Sequence, residues 1–378
     1  MQDKRLILIF FNLFFLLAVI FLSIILLVDP LRLYHKPYFC KNEIFDNMRL
    51  SVAGLIKEYD FDSVILGTSM LENTSSKEAE QIFGGKFANL SLQDGSFFER
   101  DLILNYIFKY KNLKTVIFSL DAEKIINQVK VVEHYDLDNY GFLYDDNPFN
   151  DIKAYLNDKM LFKIFKFGFG CKNSDFDRPT AWLRDKEKMA RFDGFENWFK
   201  DKKYREIAWH FRKIKEAGIS IETGQIQDLD DLEERIFKSK NYIDIHLLKF
   251  IKNYPDINFI LIIPTYSRLF DSMGIKTKPS DFFTAKEAMR YLVKQSQKYK
   301  NMKIYGWSDT DYPDDIANYR DLIHYRPELN SLMLKNIRDN IGLLTPLNFD
   351  KYYEKIEKKS LNFDFMPYYK QVLKNYKD

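Results

Sequence analysis

Asp62-Ser63-Val64-Ile65-Leu66-Gly67-Thr68-Ser69-Met70 is the stretch from which the fold can be read. A short β-branched apolar run stops at a glycine, and a serine follows two residues later. Such a run reads as a strand buried in a parallel sheet. Open α/β sheets bind their ligands at the carboxyl ends of their strands, and Ser69 falls at one. The spacing predicts a strand over 63–66 and a Gly67-Thr68-Ser69 turn that delivers a nucleophile.

Downstream the pattern repeats. Strands are expected at Phe87-Ala88-Asn89-Leu90-Ser91 and at Thr115-Val116-Ile117-Phe118-Ser119-Leu120, the latter ending at Asp121. Helices are expected between them, from about Ser75 to Phe83 and from about Phe97 to Lys109, the second preceded by a Gln93-Asp94-Gly95-Ser96 loop. Strands alternating with helices mark a parallel sheet with crossover helices. From Ala122 to Lys240 no strand is as clear, and three of the four tryptophans (Trp182, Trp198, Trp209) lie there. A structureless loop of that length is implausible, so the stretch is expected to be a mostly helical insertion.

The sheet then resumes. A helix over Tyr242–Tyr254, a strand over Asn258–Ile263 ended by Pro264 and an amphipathic helix over Thr284–Lys300 are expected. Lys303–Trp307 reads as the last strand, Asp309–His324 as an acidic loop, and a helix follows Pro327. The resulting layout is an anchor at 1–28 and a connector at 29–60. An α/β domain follows, made of 61–121 and 241–345, with the insertion at 122–240 and a tail at 346–378.

The anchor rests on Leu6–Val28, 23 residues without a charge in which Asn12 and Ser23 are the only polar side chains. At about 1.5 Å per residue this spans a hydrocarbon core of about 30 Å. The run exceeds a signal-peptide core and no A-x-A site follows, so an uncleaved signal anchor is expected. Lys4 and Arg5 favour a cytoplasmic N-terminus, although Arg32 and Lys36 flank the other end. The globular part is then expected outside.

Composition narrows the function. With 57 basic and 54 acidic residues and a net charge of +3, the chain has no electrostatic footprint for a nucleic-acid partner. Cys40 and Cys171 have no CxxC spacing, and His35, His134, His210, His246 and His324 are scattered, so neither a metal nor a cofactor is expected. The two cysteines admit either a disulfide or two free thiols.

A serine hydroxyl becomes a nucleophile when a histidine, oriented by a carboxylate, takes its proton. The candidates are Ser69, His324 and Asp321. Ser69 follows the first strand and the pair follows the last, so a parallel sheet brings them to one edge across 255 positions. On one helical turn, positions i and i+3 share a face, which lets Asp321 reach His324. The backbone N–H groups of Ser69 and Gly95 are the natural oxyanion donors. Asp121 and Asp309 read either as groups near the site or, more ordinarily, as strand-end caps.

Gly67-Thr68-Ser69-Met70-Leu71, then Gly95, then Asp321-x-x-His324, in that order, resemble the blocks of the SGNH (GDSL-like) hydrolase superfamily. The resemblance implies a three-layer α/β/α sandwich with a parallel sheet, flavodoxin-like, and acyl transfer to water or another hydroxyl. With an anchor, the chain is similar to the envelope acyltransferase branch, which includes the D-alanyl transfer protein of teichoic acids and the acetyltransferases of alginate and peptidoglycan. This implies a single-pass serine O-acyltransferase modifying an envelope polysaccharide, with a multi-spanning membrane acyltransferase as partner.

Two departures qualify the match. The family's aspartate before the serine is Thr68 here, and its third block, Gly-x-Asn-Asp, is absent where strand three ends in Ser119-Leu120-Asp121-Ala122. Asn73, four residues after the serine, is the substitute for the missing oxyanion asparagine. The absent block weighs against free-standing hydrolysis. An esterase acting on envelope glycans and a non-catalytic assembly factor are the alternatives.

Overall fold

The computed structural model describes residues 2–36, 38, 47–129, 137–156, 160, 164, 186–201, 205–226 and 231–376. Cys40, Cys171 and Trp182 lie outside the described residues, and so does any pairing of the two cysteines. The chain divides into two compact units, one of residues 1–60, 102–111 and 133–176, the other of residues 61–101, 112–132 and 177–378.

The first unit begins with helix α1 (Gln2–Val28), which is long and apolar enough to cross a membrane and exposes most of its apolar side chains. The chain turns at Asp29, where φ is 36°. Its buried carboxylate accepts the N–H groups of Leu33, Tyr34 and His35 and the hydroxyl of Tyr155. Helix α2 (Met48–Glu58) is capped by Asn47, which accepts from Arg49 N–H. A Cβ at Gly54 would lie 1.9 Å from the Leu31 carbonyl oxygen, so only glycine lets α2 approach that turn.

The second unit is mixed α/β, built on a six-stranded, mostly parallel sheet. Strands β1 (Ser63–Leu66), β2 (Phe87–Asn89), β3 (Thr115–Ser119), β4 (Asn258–Ile262), β5 (Met302–Tyr305) and β6 (Leu343–Leu344) lie in the order β2-β1-β3-β4-β5-β6. The β-branched run Val64-Ile65 is buried on both sides of the strand, as a parallel strand requires. All pairings are parallel except β5 with β6, where Tyr305 faces Leu343. The expected strands are all present. The two-residue antiparallel β6 is an addition that the apolar pattern was too short to announce.

Topology fixes where chemistry can sit. After β1 the chain moves through α3 (Ser76–Phe83) to β2 on one side. It then passes through α4 (Phe97–Tyr110) to β3 on the other side. The strand order therefore reverses between β1 and β3, and open α/β sheets bind their ligands beyond the carboxyl ends at such a switch point. Ser69 follows β1 there, and Asp121 follows β3.

The long connection from β3 to β4 carries short helices α5 (Ala122–Ile126) and α6 (Lys186–Met189). A 19-residue helix α7 (Arg205–Thr223) follows, then α8 (Leu232–Ile243), which continues through a π-turn at Asp244–Leu248 into α9 (Lys249–Asn253). That helix starts ten residues before the expected Tyr242, because Asp231 caps it by accepting from Glu234 N–H. Two further helices precede β5, namely α10 (Arg268–Thr277) and α11 (Pro279–Lys298). Beyond β5 come α12 (Pro327–Arg338), α13 (Phe349–Asn362) and α14 (Met366–Asn375), the last two in the stretch read as a tail.

The core of this unit joins sheet residues to helix residues from far along the chain. Ile65, Ile117, Ile260 and Ile262 cluster with Trp198, Phe211 and Ile214 of the long connection, and with Leu322, Tyr325 and Tyr369.

Candidate active site

Thr68, Ser69 and Met70 form a tight turn at the end of β1. It is held from two sides. Asn89, at the end of β2, donates its amide to the carbonyls of Leu71 (2.8 Å) and Thr74 (2.9 Å). Tyr325 donates its hydroxyl to the Met70 carbonyl at 2.8 Å. Burial beside Asp121 and Tyr312 pushes the Tyr325 phenol well above its ordinary value, so it stays a donor. Ser69 itself is half-buried.

Thr68, just before the serine, has a distinct use. Its hydroxyl donates to Asp121 Oδ1 at 2.7 Å, bridging the switch point between β1 and β3. Asp121 Oδ2 accepts from Ser119 Oγ (2.5 Å) and from Arg100 Nη2 (3.0 Å). Arg100 is fully buried between the rings of Phe97 and Phe118, each centroid 4.5 Å away, and also donates to the carbonyls of Gly95, Ser96 and Ser119. A buried ion pair of this kind is costly to break, about 3–5 kcal/mol when one partner is removed. The network ties the ends of β1 and β3 and the loop after β2 into one rigid frame. Asp121 occupies the N-cap position of α5 but makes no capping bond with its side chain. It corrects the strand-end reading because its carboxylate is turned toward Thr68 and Arg100.

Asp321 and His324 reach Ser69 on the segment between β5 and β6. That segment passes over the end of β4, where Ser267 Oγ donates to the Leu322 carbonyl (2.6 Å) and Tyr319 donates to the Thr265 carbonyl (2.9 Å). The helical turn expected at 321–324 is instead a bend, closed by an antiparallel bridge between Tyr319 and Tyr325 and by Arg320 N–H on the His324 carbonyl. The physical reason is local. Asp321 Oδ1 accepts the N–H groups of Ile323 (3.0 Å) and His324 (2.9 Å), an Asx-type turn that competes with helix.

The three candidate side chains meet. Ser69 Oγ lies 2.8 Å from His324 Nε2, and His324 Nδ1 lies 2.7 Å from Asp321 Oδ2 and 2.9 Å from Oδ1. A carboxylate only accepts, so Nδ1 carries the proton and Nε2 presents its lone pair to the serine hydroxyl. Asp321 is fully buried. Burial alone would raise its carboxyl, but His324, His210 and Arg320 around it hold it well below the usual carboxylate range. The site therefore sets a charged acid against the imidazole that faces the Ser69 hydroxyl.

The chain matches no known family model, and no curated protein is similar to it.

The two further sequence candidates stand differently. Gly95 does lie against the turn, since a Cβ there would meet Leu92 Cβ at 2.8 Å and the Gly67 carbonyl oxygen at 3.7 Å. Its N–H donates to the Leu92 carbonyl at 3.0 Å, closing a local turn. Ser69 N–H has no partner among the described residues. Asn73 is buried, and its Oδ1 finds no partner among the described residues.

Reading the sequence missed three contributors. Arg100 was hidden on a helix face among charges. Arg320 brings its Nε to 3.6 Å from Asp321 Oδ2, and His210 brings its Nε2 to 3.8 Å from Oδ1. His210 did carry a signal, because it shares a stripe with Ile207, Phe211, Ile214 and Ala217 at helical spacing, all buried.

Proposed function

We propose that the chain is a membrane-anchored serine O-acyltransferase of SGNH type. On this reading its sheet and helices form the superfamily's α/β/α sandwich. The observation that carries the proposal is the continuous line Ser69–His324–Asp321 at the switch point of the sheet. His324 Nε2 takes the Ser69 proton as Oγ attacks the carbonyl of an acyl donor. The donor's oxygen leaves with that proton, and acyl-Ser69 forms. An acceptor hydroxyl then gives its proton to Nε2, attacks the ester carbonyl and leaves as the acylated product, restoring Ser69–H.

The developing oxyanion needs two donors. Ser69 N–H is the first, and the Asn73 side chain is assigned as the second because Gly95 N–H is engaged with Leu92. The apolar helix α1 supports a single-pass anchor, and on this reading the second unit lies outside. The acceptor is then an envelope polysaccharide, and the acyl group comes from a multi-spanning membrane acyltransferase. Transfer is favoured over hydrolysis because the family's third block is absent.

The test is mass spectrometry of the full-length protein in micelles after a fluorophosphonate pulse. An adduct is expected on Ser69, absent in Ser69→Ala and lowered about 10³-fold or more in His324→Ala, with both variants folded. A folded wild-type protein without any adduct would overturn the enzymatic reading in favour of a non-catalytic assembly role.

A further inference from the structure

Asp321 is a buried charge, and its surroundings can be enumerated. From its own segment come His324, Arg320 and two backbone N–H groups. From α7, inside the long β3–β4 connection, comes His210, with Nε2 at 3.8 Å from Oδ1 and only 3% of the residue exposed. The helices packed on α7 bring other titratable groups elsewhere. Tyr369 of α14 meets Glu222 at the far end of α7, while Arg268 of α10 is held by Asp271 and Asp314.

The same connection grips this segment by three further contacts. Trp198, fully buried, donates its indole N–H to the Tyr319 carbonyl at 3.1 Å. Asp193 N–H donates to the Ala317 carbonyl at 3.0 Å, and Arg326 pairs with the Asp193 carboxylate. A stretch that lies outside the family resemblance thus holds the acid–base segment on both flanks of Asp321.

We propose that His210 is a positioning residue of the Ser69–His324–Asp321 relay, keeping the Asp321 carboxylate turned to His324 and setting the pH at which the relay works. The inference rests on the reading of those three residues as a relay. Neutral His210 leaves the full charge of Asp321 to His324. Protonated His210 shares that charge and repels a second cation on His324, which lowers the basicity of the imidazole that must accept the serine proton. Two imidazoles around one buried carboxylate titrate as a coupled pair.

The test uses the full-length chain in micelles and follows the rate of fluorophosphonate labelling at Ser69 against pH. In wild type the rise with pH is expected to be broad, spanning two ionisations. In His210→Asn it is expected to narrow to one ionisation and move up by about half a pH unit or more. The plateau rate should fall about three- to tenfold as the carboxylate loses its lateral support. A profile of unchanged midpoint and shape would make His210 a packing residue only.

A second measurement needs neither activity nor a variant. With ¹³C-labelled histidine, the NMR titration of His324 is expected to show an inflection at the pKa of His210, and two independent curves would overturn the proposal. Should wild type resist labelling at every pH while the two imidazoles titrate together, the acyl-transfer reading fails and the coupling stands.

Discussion

At the scale of single residues, two aspartates, Asp321 buried and Asp271 half-buried, show how surroundings decide the sign of a pH effect. Asp321 is surrounded by His324, His210 and Arg320, which outweigh burial and hold its carboxyl well down. Its folded pKa lies below the unfolded value of about 3.9, so its contribution to stability is present above about pH 4 and is lost on acidification below that. Asp271 goes the other way. Burial raises it to about 7, against Arg268 and with help from Asp314. The folded protein then holds that proton more tightly than the unfolded chain, so stability falls as pH rises from about 4 to about 7. Asp271→Asn is expected to remove most of this decline, of order 1 kcal/mol or more. Urea denaturation at pH 5 and pH 7.5 checks it. A wild-type midpoint that rises over that interval would contradict the assignment.

At the scale of elements, packing overrides intrinsic preference. Gly218 sits inside α7, where alanine is favoured by about 1 kcal/mol on helix propensity alone. A Cβ there would lie 2.2 Å from the ring of Tyr369 on α14, a buried neighbour. Gly218→Ala is therefore expected to destabilise the protein by about 1–3 kcal/mol as α14 is forced away, read as a lowered midpoint of thermal unfolding. Adding Tyr369→Leu should recover part of the loss, and a Gly218→Ala protein as stable as wild type would contradict this contact. The same packing explains which elements could be read in advance. The β1, β3 and β4 runs are apolar enough to announce themselves, and the order of Ser69, Asp321 and His324 follows from them. Helices α13 and α14 were obscured because Phe349, Tyr352, Tyr353 and Ile356 keep a helical stripe diluted by lysines. Helix α10 carried a cap at Ser267, which accepts from Phe270 N–H, but its proximity to Pro264 read as the end of a strand. Arg100 and His210 could not be placed because their roles depend on partners 21 and more than 100 positions away. Such distant contacts have no local periodicity.

At the scale of the whole molecule, the proposed site draws on residues 69, 100, 121, 210, 321 and 324, while the apolar helix α1 lies early in the sequence. With α1 as the proposed anchor, the side of the membrane that the site faces turns on a near balance of charge. Lys4 and Arg5 precede the apolar run, and Arg32 and Lys36 are the first cations to follow it, two within eight residues of each end. Under the positive-inside rule neither flank dominates by number, so the outcome turns on when each is presented during insertion. Lys4 and Arg5 emerge before the apolar run itself. Arg32 ends up buried in its own folded unit, where desolvation lowers its pKa against the pull of Tyr59 and Asp29. A C-terminal alkaline phosphatase fusion of the native chain is therefore expected to be active, reporting an external second unit. In the Lys4→Gln, Arg5→Gln double variant the balance tips to Arg32 and Lys36. The population is then expected to split, with phosphatase activity falling about two- to tenfold and fluorescence of a matching green-fluorescent-protein fusion rising. Equal phosphatase activity in both chains would show that the length of the translocated part, not the flanking charge, sets the orientation. An inactive fusion on the native chain would place Ser69 on the cytoplasmic side, out of reach of an envelope polysaccharide, and would remove the acceptor from the proposed reaction.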